Sequence, residues 1–253
     1  MSYTKIMSMF SNKFFFVSLI ILLIIIAVIL FQIIYIVVHG KTVSTPIIPR
    51  ETQTLGTATD TVIYTVLGDS TSIGQGTTYD KSIARKTAEV LAMNHTVKLT
   101  NFGISGALVK DVLTKEVARA ATLKPDIVLL AIGANDITHL TKLSTIKHDL
   151  IAIIRTLQSS NPHVRIILTG VPQMGSIPRF PWPTNLIARY RTEQVNKVMK
   201  QVVTLTNVEF ASIAEKTGPI FDKRPDLFAQ DNFHPTGDGY AVWLPVLMPF
   251  FER

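Results

Sequence analysis

The chain has 253 residues, 47% of them hydrophobic, a formal net charge of +7 and no cysteine. This length supports one substantial core plus an accessory segment and is too short for two large domains, while the missing cysteine excludes disulfides, thiol catalysis and cysteine metal sites and leaves the redox compartment open. The first 39 positions carry only Lys5 and Lys13, and the 23 basic and 18 acidic residues beyond them form no Lys/Arg run, which argues for a solvated surface and against a nucleic-acid partner.

Residues 1–13 read as a short tail. The next stretch, 14–38, is 25 residues without a charge, broken only by Ser18 and Gln32. As a helix it measures roughly 37 Å against about 30 Å of bilayer hydrocarbon, enough to span. It is longer than the apolar stretch of a cleaved signal and ends in Val37-Val38-His39-Gly40 without a small-x-small site, so the expectation is a retained single-pass anchor. Lys5 and Lys13 before the span nearly balance Lys41 and Arg50 after it; the short N-terminal tail favours a cytoplasmic N-terminus and an extracytoplasmic C-terminus. Residues 39–60 lack periodicity and read as a linker, leaving 61–253 as one compact domain.

Inside that domain short apolar runs at 62–67, 97–102, 127–132, 164–169 and 208–210 alternate with helical periodicity at 82–93, 109–122, 144–158 and 185–204, and a final helix near 237–251 should be kinked or shortened by Pro245 and Pro249. The alternation predicts an α/β fold with a central parallel sheet of about five strands covered by helices on both faces. Ligands of such sheets bind beyond the C-terminal ends of the strands. The small polar residues gather there: Gly68-Asp69-Ser70 follows the first run, Gly103-Ile104-Ser105-Gly106 the second and Gly133-Ala134-Asn135-Asp136 the third.

Serine acyl transfer needs a hydroxyl, a base and donors for an oxyanion. Ser70 supplies a hydroxyl where a strand breaks, although Asp69 and Ser70 equally suit a helix cap. In Asp231-Asn232-Phe233-His234-Pro235 a carboxylate three residues before a histidine suits either an acid–base pair or a surface turn before a proline. The Asn135 amide and the backbone N–H groups of Ser70 and Gly103 are candidate oxyanion donors, with Asn135 and Asp136 alternatively capping a turn.

Taken in order, Gly68-Asp69-Ser70, Asn101-Phe102-Gly103, Gly133-Ala134-Asn135-Asp136 and Asp231-Asn232-Phe233-His234-Pro235 resemble the four blocks of the GDSL-type esterases of the SGNH hydrolase superfamily, over essentially all of 61–253. The resemblance implies a three-layer α/β/α, flavodoxin-like fold and ester hydrolysis without metal or organic cofactor. It makes Ser70 the nucleophile, His234 the base and Asp231 its orienter, with the Ser70 N–H, Gly103 N–H and Asn135 amide as oxyanion hole. Thr71 departs from the family's leucine.

Other chemistries fit poorly. Ser105 lacks the Gly-x-Ser-x-Gly pattern because residue 107 is Ala, Gly74 and Gly76 lack a phosphate-loop ending, and the six histidines show no zinc spacing. The substrate remains open between lipase-, lysophospholipase- or arylesterase-like action, O-deacetylation of a cell-envelope polysaccharide, and a non-catalytic domain that binds glycan or lipid. The proline-stiffened aromatic stretch 177–183 is expected to overhang the catalytic edge as a lid or acyl-chain wall, or to pack as an ordinary loop, and tilts the reading toward an acyl or aryl ester.

Overall fold

The computed structural model describes residues 3–49 and 51–252, in two units, 1–40 and 41–253. The first is one helix, α1 (Tyr3–His39). Helical structure begins at Tyr3, eleven residues before the apolar stretch opens at Phe14. Within α1 the stretch Lys13–His39 has a mean hydropathy of 3.5 and, among the described residues, is the one segment long and apolar enough to cross a membrane. Arg50, part of the charge balance across the span, lies outside the described residues.

The second unit is built on a six-stranded sheet in the order β1-β3-β2-β4-β5-β6, comprising β1 (Gln53–Leu55), β2 (Thr61–Gly68), β3 (Thr96–Asn101), β4 (Ile127–Ala131), β5 (Arg165–Thr169) and β6 (Glu209–Ala211). Strands β2 to β6 pair in parallel. The sixth, β1, pairs antiparallel with β3 in the register Gln53↔Leu99 and Leu55↔Val97. The expected parallel sheet of about five strands is present as β2 to β6, and a sixth, antiparallel strand from the segment read as linker makes the sheet mixed. Three residues are too few to show alternation. What holds β1 is Leu55 buried in the core and a Thr52–Thr100 hydroxyl pair at 2.9 Å.

The sheet sorts its side chains by parity, since successive residues of a strand face opposite ways. Leu67, Val128, Leu130, Ile166 and Leu168 pack in one layer with α3 (Val109–Asp111), a π turn (Val112–Glu116), α4 (Val117–Thr122), α6 (Leu143–Ser160) and α7 (Thr184–Thr206). Tyr64, Val66, Ile127, Leu129 and Ile167 pack in the other with α2 (Ile83–Leu91), α8 (Ile213–Phe221) and α9 (Gly237–Leu247). Burial on both faces explains why all five residues of β4 are apolar and inaccessible. The short helix α5 (Ala134–Thr138) and α8 were not legible as helices, whereas α9 holds Pro245 and gives way at Met248–Phe250 to a 3-10 turn containing Pro249, the expected shortening.

Candidate active site

Ser70 stands directly after β2. At Gly68 φ is +145°, and a Cβ there would lie 1.9 Å from the Ala131 carbonyl oxygen, so only glycine lets the ends of β2 and β4 close together. Asp69 then folds the chain: its Oδ1 accepts from the Thr71 N–H at 2.9 Å and the Thr71 hydroxyl at 2.8 Å. The Gln75 N–H donates to the Ser70 carbonyl at 3.0 Å, which closes the turn. Thr71, at the family's leucine position, thus contributes a hydroxyl to this turn.

The histidine arrives on a loop between α8 and α9, closed by a bridge between Phe228 and Pro235 and by the Ala229 N–H donating to the His234 carbonyl at 2.8 Å. Asp231 Oδ1 accepts the N–H groups of Phe233 and His234, each at 3.0 Å, which turns the chain back on itself. Its other oxygen, Oδ2, accepts from His234 Nδ1 at 2.6 Å, and Ser70 Oγ lies 3.0 Å from His234 Nε2. With Nδ1 protonated against the carboxylate, Nε2 is the acceptor for the serine hydroxyl. Burial pushes the Asp231 carboxyl up, but the bond from His234, the two backbone donors and the attraction of the imidazole outweigh it and hold the group below the ordinary carboxylate range. Gly76 lets the turn after Ser70 pass under this loop: φ is +96°, and a Cβ would sit 2.4 Å from the Pro235 carbonyl oxygen and 2.9 Å from His234 Cβ.

Of the three groups expected as oxyanion donors, one already has a protein acceptor. The Ser70 N–H has no protein acceptor among the described residues. Asn135, on the first turn of α5, donates one amide hydrogen to the Ala107 carbonyl at 3.0 Å and keeps the other. The Gly103 N–H, however, is buried and donates to Asn101 Oδ1 at 2.9 Å, while Asn101 Nδ2 donates to the Ser72 carbonyl at 2.9 Å. Asn101 and Gly103 therefore tie the turn after Ser70 to β3. The exposed N–H beside the Asn135 anchor is that of Gly106, at φ +80° and without a protein acceptor among the described residues. The second glycine of Gly103-Ile104-Ser105-Gly106 was the signal available in the sequence.

Ser105, the rival hydroxyl, donates to Gln75 Oε1 at 2.5 Å and meets no base. The 177–183 stretch buttresses the catalytic loop: the Arg179 N–H donates to the Asn232 carbonyl at 3.0 Å, Arg179 Nε to the Asp231 carbonyl at 3.0 Å, and Phe180 packs edge-on against Phe233. Beside Ser70 and His234 lies a cavity of about 30 Å³ walled by Met174, Ile177, Phe221, Phe228 and Trp243. A larger cleft of about 420 Å³, with Asn196, Lys197, Glu193 and Phe210 in its walls, shares Gln173 with it. No group of three or more His, Asp or Glu side chains suited to a metal occurs among the described residues.

A serine at the C-terminal edge of a parallel sheet, bonded through a histidine to a buried carboxylate, has the hydrogen-bond order used by serine hydrolases. The model of the GDSL-like Lipase/Acylhydrolase family matches residues 66–242, and the chain belongs to that family. A GDSL-like esterase of Mycobacterium tuberculosis is 27% identical over 185 residues, covering 70% of this chain; the chain spans 57% of that relative's length. The fold is shared with TesA, at a TM-score of 0.62 and 18% identity over 74% of this chain and 96% of that one. It is shared too with the psychrotrophic esterase EstA of a Pseudoalteromonas species, solved inhibited by monoethylphosphonate, at a TM-score of 0.58 and 18% identity over 74% and 94% of the two chains.

Proposed function

We propose that the chain is a membrane-anchored serine esterase that hydrolyses carboxylic esters of short acyl groups, with its catalytic unit on the extracytoplasmic side. The observation that carries the chemistry is the continuous bond order Ser70 Oγ, His234 Nε2, His234 Nδ1, Asp231 Oδ2. Ser70 Oγ attacks the ester carbonyl carbon while its proton passes to His234 Nε2, and Asp231 stabilises the imidazolium. The negative charge on the carbonyl oxygen is met by the Ser70 N–H, the free Asn135 amide hydrogen and the Gly106 N–H. The intermediate collapses, His234 gives its proton to the departing alkoxide, and the acyl group stays on Ser70. A water, deprotonated by His234, then attacks the acyl-enzyme; the carboxylic acid leaves and the proton returns to Ser70.

A cavity of about 30 Å³ has room for about two water-sized groups, which fits acetyl and propionyl chains better than the long chains of a lysophospholipid. The cleft across Gln173, where Glu193, Asn196 and Lys197 stand beside the Phe210 ring, supports a second reading on the same chemistry, O-deacetylation of a cell-envelope polysaccharide, with the cleft holding sugar. The uncharged apolar stretch 14–38 supports the anchor.

The test is hydrolysis of a graded series of p-nitrophenyl esters by the full chain in detergent, beside Ser70→Ala and a serine-directed phosphonate. Turnover and labelling that both vanish in Ser70→Ala are expected; an inert wild-type chain that no phosphonate labels refutes the esterase. Turnover of an acetylated polysaccharide above that of all simple esters would select the second reading. Extraction of the protein from membranes by alkaline carbonate would refute the anchor.

A further inference from the structure

Helix α7 is apolar on two sides at one of its ends. With about 100° of rotation per residue, its buried positions Thr184, Ala188, Thr192, Val195 and Met199 gather on one side. On the opposite side Leu186, Ile187 and Tyr190 fall within an arc of about 100°, and all three are exposed. Trp182, just ahead of the helix, is 69% exposed. Further along, the same outward line turns polar through Glu193, Lys197 and Gln201. The outward face of a surface helix is ordinarily polar throughout, so the first two turns are the exception. Because α7 follows β5, those turns lie toward the C-terminal edge of the parallel sheet, the edge that carries Ser70. Arg191 Nη2 donates to the Thr141 carbonyl, which brings the loop after α5 alongside. In that loop Leu140 is exposed and holds φ at +52°, an uncommon conformation for a bulky residue.

We propose that this apolar rim, made of Trp182, Leu186, Ile187, Tyr190 and Leu140, rests on the surface of a lipid bilayer that carries anionic headgroups. The proposal uses the anchor reading of 14–38 and goes beyond it, to the face of the catalytic unit that meets the membrane. Reach is the first argument for this occupant. Arg179, three residues before Trp182, donates through Nη2 to the Lys41 carbonyl. A span over 14–38 ends three residues before Lys41, which is at most about 11 Å of chain. Charge is the second. Segments 137–148 and 170–192 hold Lys142, Lys147, Arg179, Arg189 and Arg191 and no acid. Asp222 pairs with Arg189 at 2.7 Å, and the other four remain in surplus. Tryptophan and tyrosine suit the headgroup level, where one end of the ring is apolar and the other wet, and basic side chains there attract anionic lipid. Ile177, in the wall of the cavity beside Ser70, lies on the same short segment as Trp182. An ester carried by the bilayer then meets the catalytic edge at the membrane surface.

The experiment places the full chain in vesicles of phosphatidylcholine and phosphatidylglycerol with brominated acyl chains and reads tryptophan fluorescence. The chain has two tryptophans, and Trp243 is 4% exposed, so the accessible signal belongs to Trp182. Wild type should lose about half of that signal to brominated lipid and little to aqueous iodide. Trp182→Phe should abolish the quenchable part. Leu186→Gln combined with Ile187→Gln should cut it at least about threefold, with p-nitrophenyl acetate turnover and the melting transition as in wild type.

Emission quenched by iodide and not by brominated lipid would put the rim in water. Emission shielded from both would put it under protein, a partner or a second copy. Either result overturns the proposal, as does a double variant quenched like wild type, and the wild-type comparison decides alone if the double variant fails to fold. Equal quenching in phosphatidylcholine alone would overturn the preference for anionic headgroups. Alkaline carbonate reads the anchor separately: a chain that washes free yet is quenched by added vesicles keeps the rim and loses the anchor, and a retained, unquenched chain does the reverse.

Discussion

Under the proposed function the cavity beside Ser70 holds the acyl group, and Ile177→Ala measures how tightly its size sets chain-length preference. Ile177 is 6% exposed and lines the cavity with Met174 and Phe228. Truncation to alanine removes three carbons, opening space for about three methylenes of substrate. At about 0.8 kcal/mol per buried methylene this is about 2.4 kcal/mol of transition-state binding, or about 60-fold in kcat/KM as an upper bound. Wall relaxation lowers the figure, so a gain of about 5- to 50-fold for hexanoyl relative to propionyl ester is expected. The same truncation costs about 2–5 kcal/mol of stability. The assay is therefore run on protein whose melting transition has been recorded and at a temperature well below it. A folded Ile177→Ala protein with the wild-type chain-length profile would refute the assignment of this cavity to the acyl group.

Three further outcomes follow from the site. Asp231→Asn keeps the loop but removes the carboxylate that fixes the His234 tautomer, and kcat should fall by on the order of 10⁴, read by stopped-time ester assay. Asn135→Ala should cost about 10²–10³ in kcat with little change in KM; a loss confined to KM would mean that Asn135 binds substrate instead. The pH dependence of folding has a definite sign. Glu116, near 4.5 when solvated and pushed by burial up to about 8 in the fold, binds a proton that the unfolded chain releases, so its contribution is full below about 4.5 and is lost as pH rises to about 8. The slope is about 1.4 kcal/mol per pH unit, up to about 5 kcal/mol in all, and urea titrations of Glu116→Gln should show it flattened. Asp231, held low in the fold, acts oppositely: its contribution is lost as pH falls below the ordinary carboxylate range.

Legibility in the sequence followed the physics of each signal. β4 was plain because a strand buried on both faces must be apolar throughout. The turns that bring Ser70, Asp231 and His234 together were legible because they need particular residues: a glycine where β2 meets Ala131, and a carboxylate three residues before the histidine it folds back upon. Gly103 read as a candidate donor because a glycine after a strand fits either a free N–H or a close backbone approach; in the fold Asn101, two residues earlier, takes up that N–H. Glu116, whose Oε2 accepts the Gly68 N–H at 2.9 Å, carried no signal at all. Within helical periodicity a glutamate reads as a solvated position, and only the π turn and the end of β3 bring it to Gly68. Arg179 was hidden likewise, since its acceptors are backbone carbonyls of Asp231 and Asn232, far along the chain.

The short antiparallel strand at the sheet's border bears on how the protein behaves when shortened. Gln53–Leu55 covers the outer side of β3, and Gln53 is gripped by the Tyr79 hydroxyl at 3.0 Å and by Arg85 at 3.3 Å. A chain trimmed to begin at residue 61 would uncover β3's row of unpaired backbone groups, a template for pairing with a second molecule. Soluble expression of the catalytic unit is consequently expected to depend on the eight residues 53–60, which carry none of its chemistry, and a trim that stops before Gln53 should stay dispersed where one made at Thr61 self-associates.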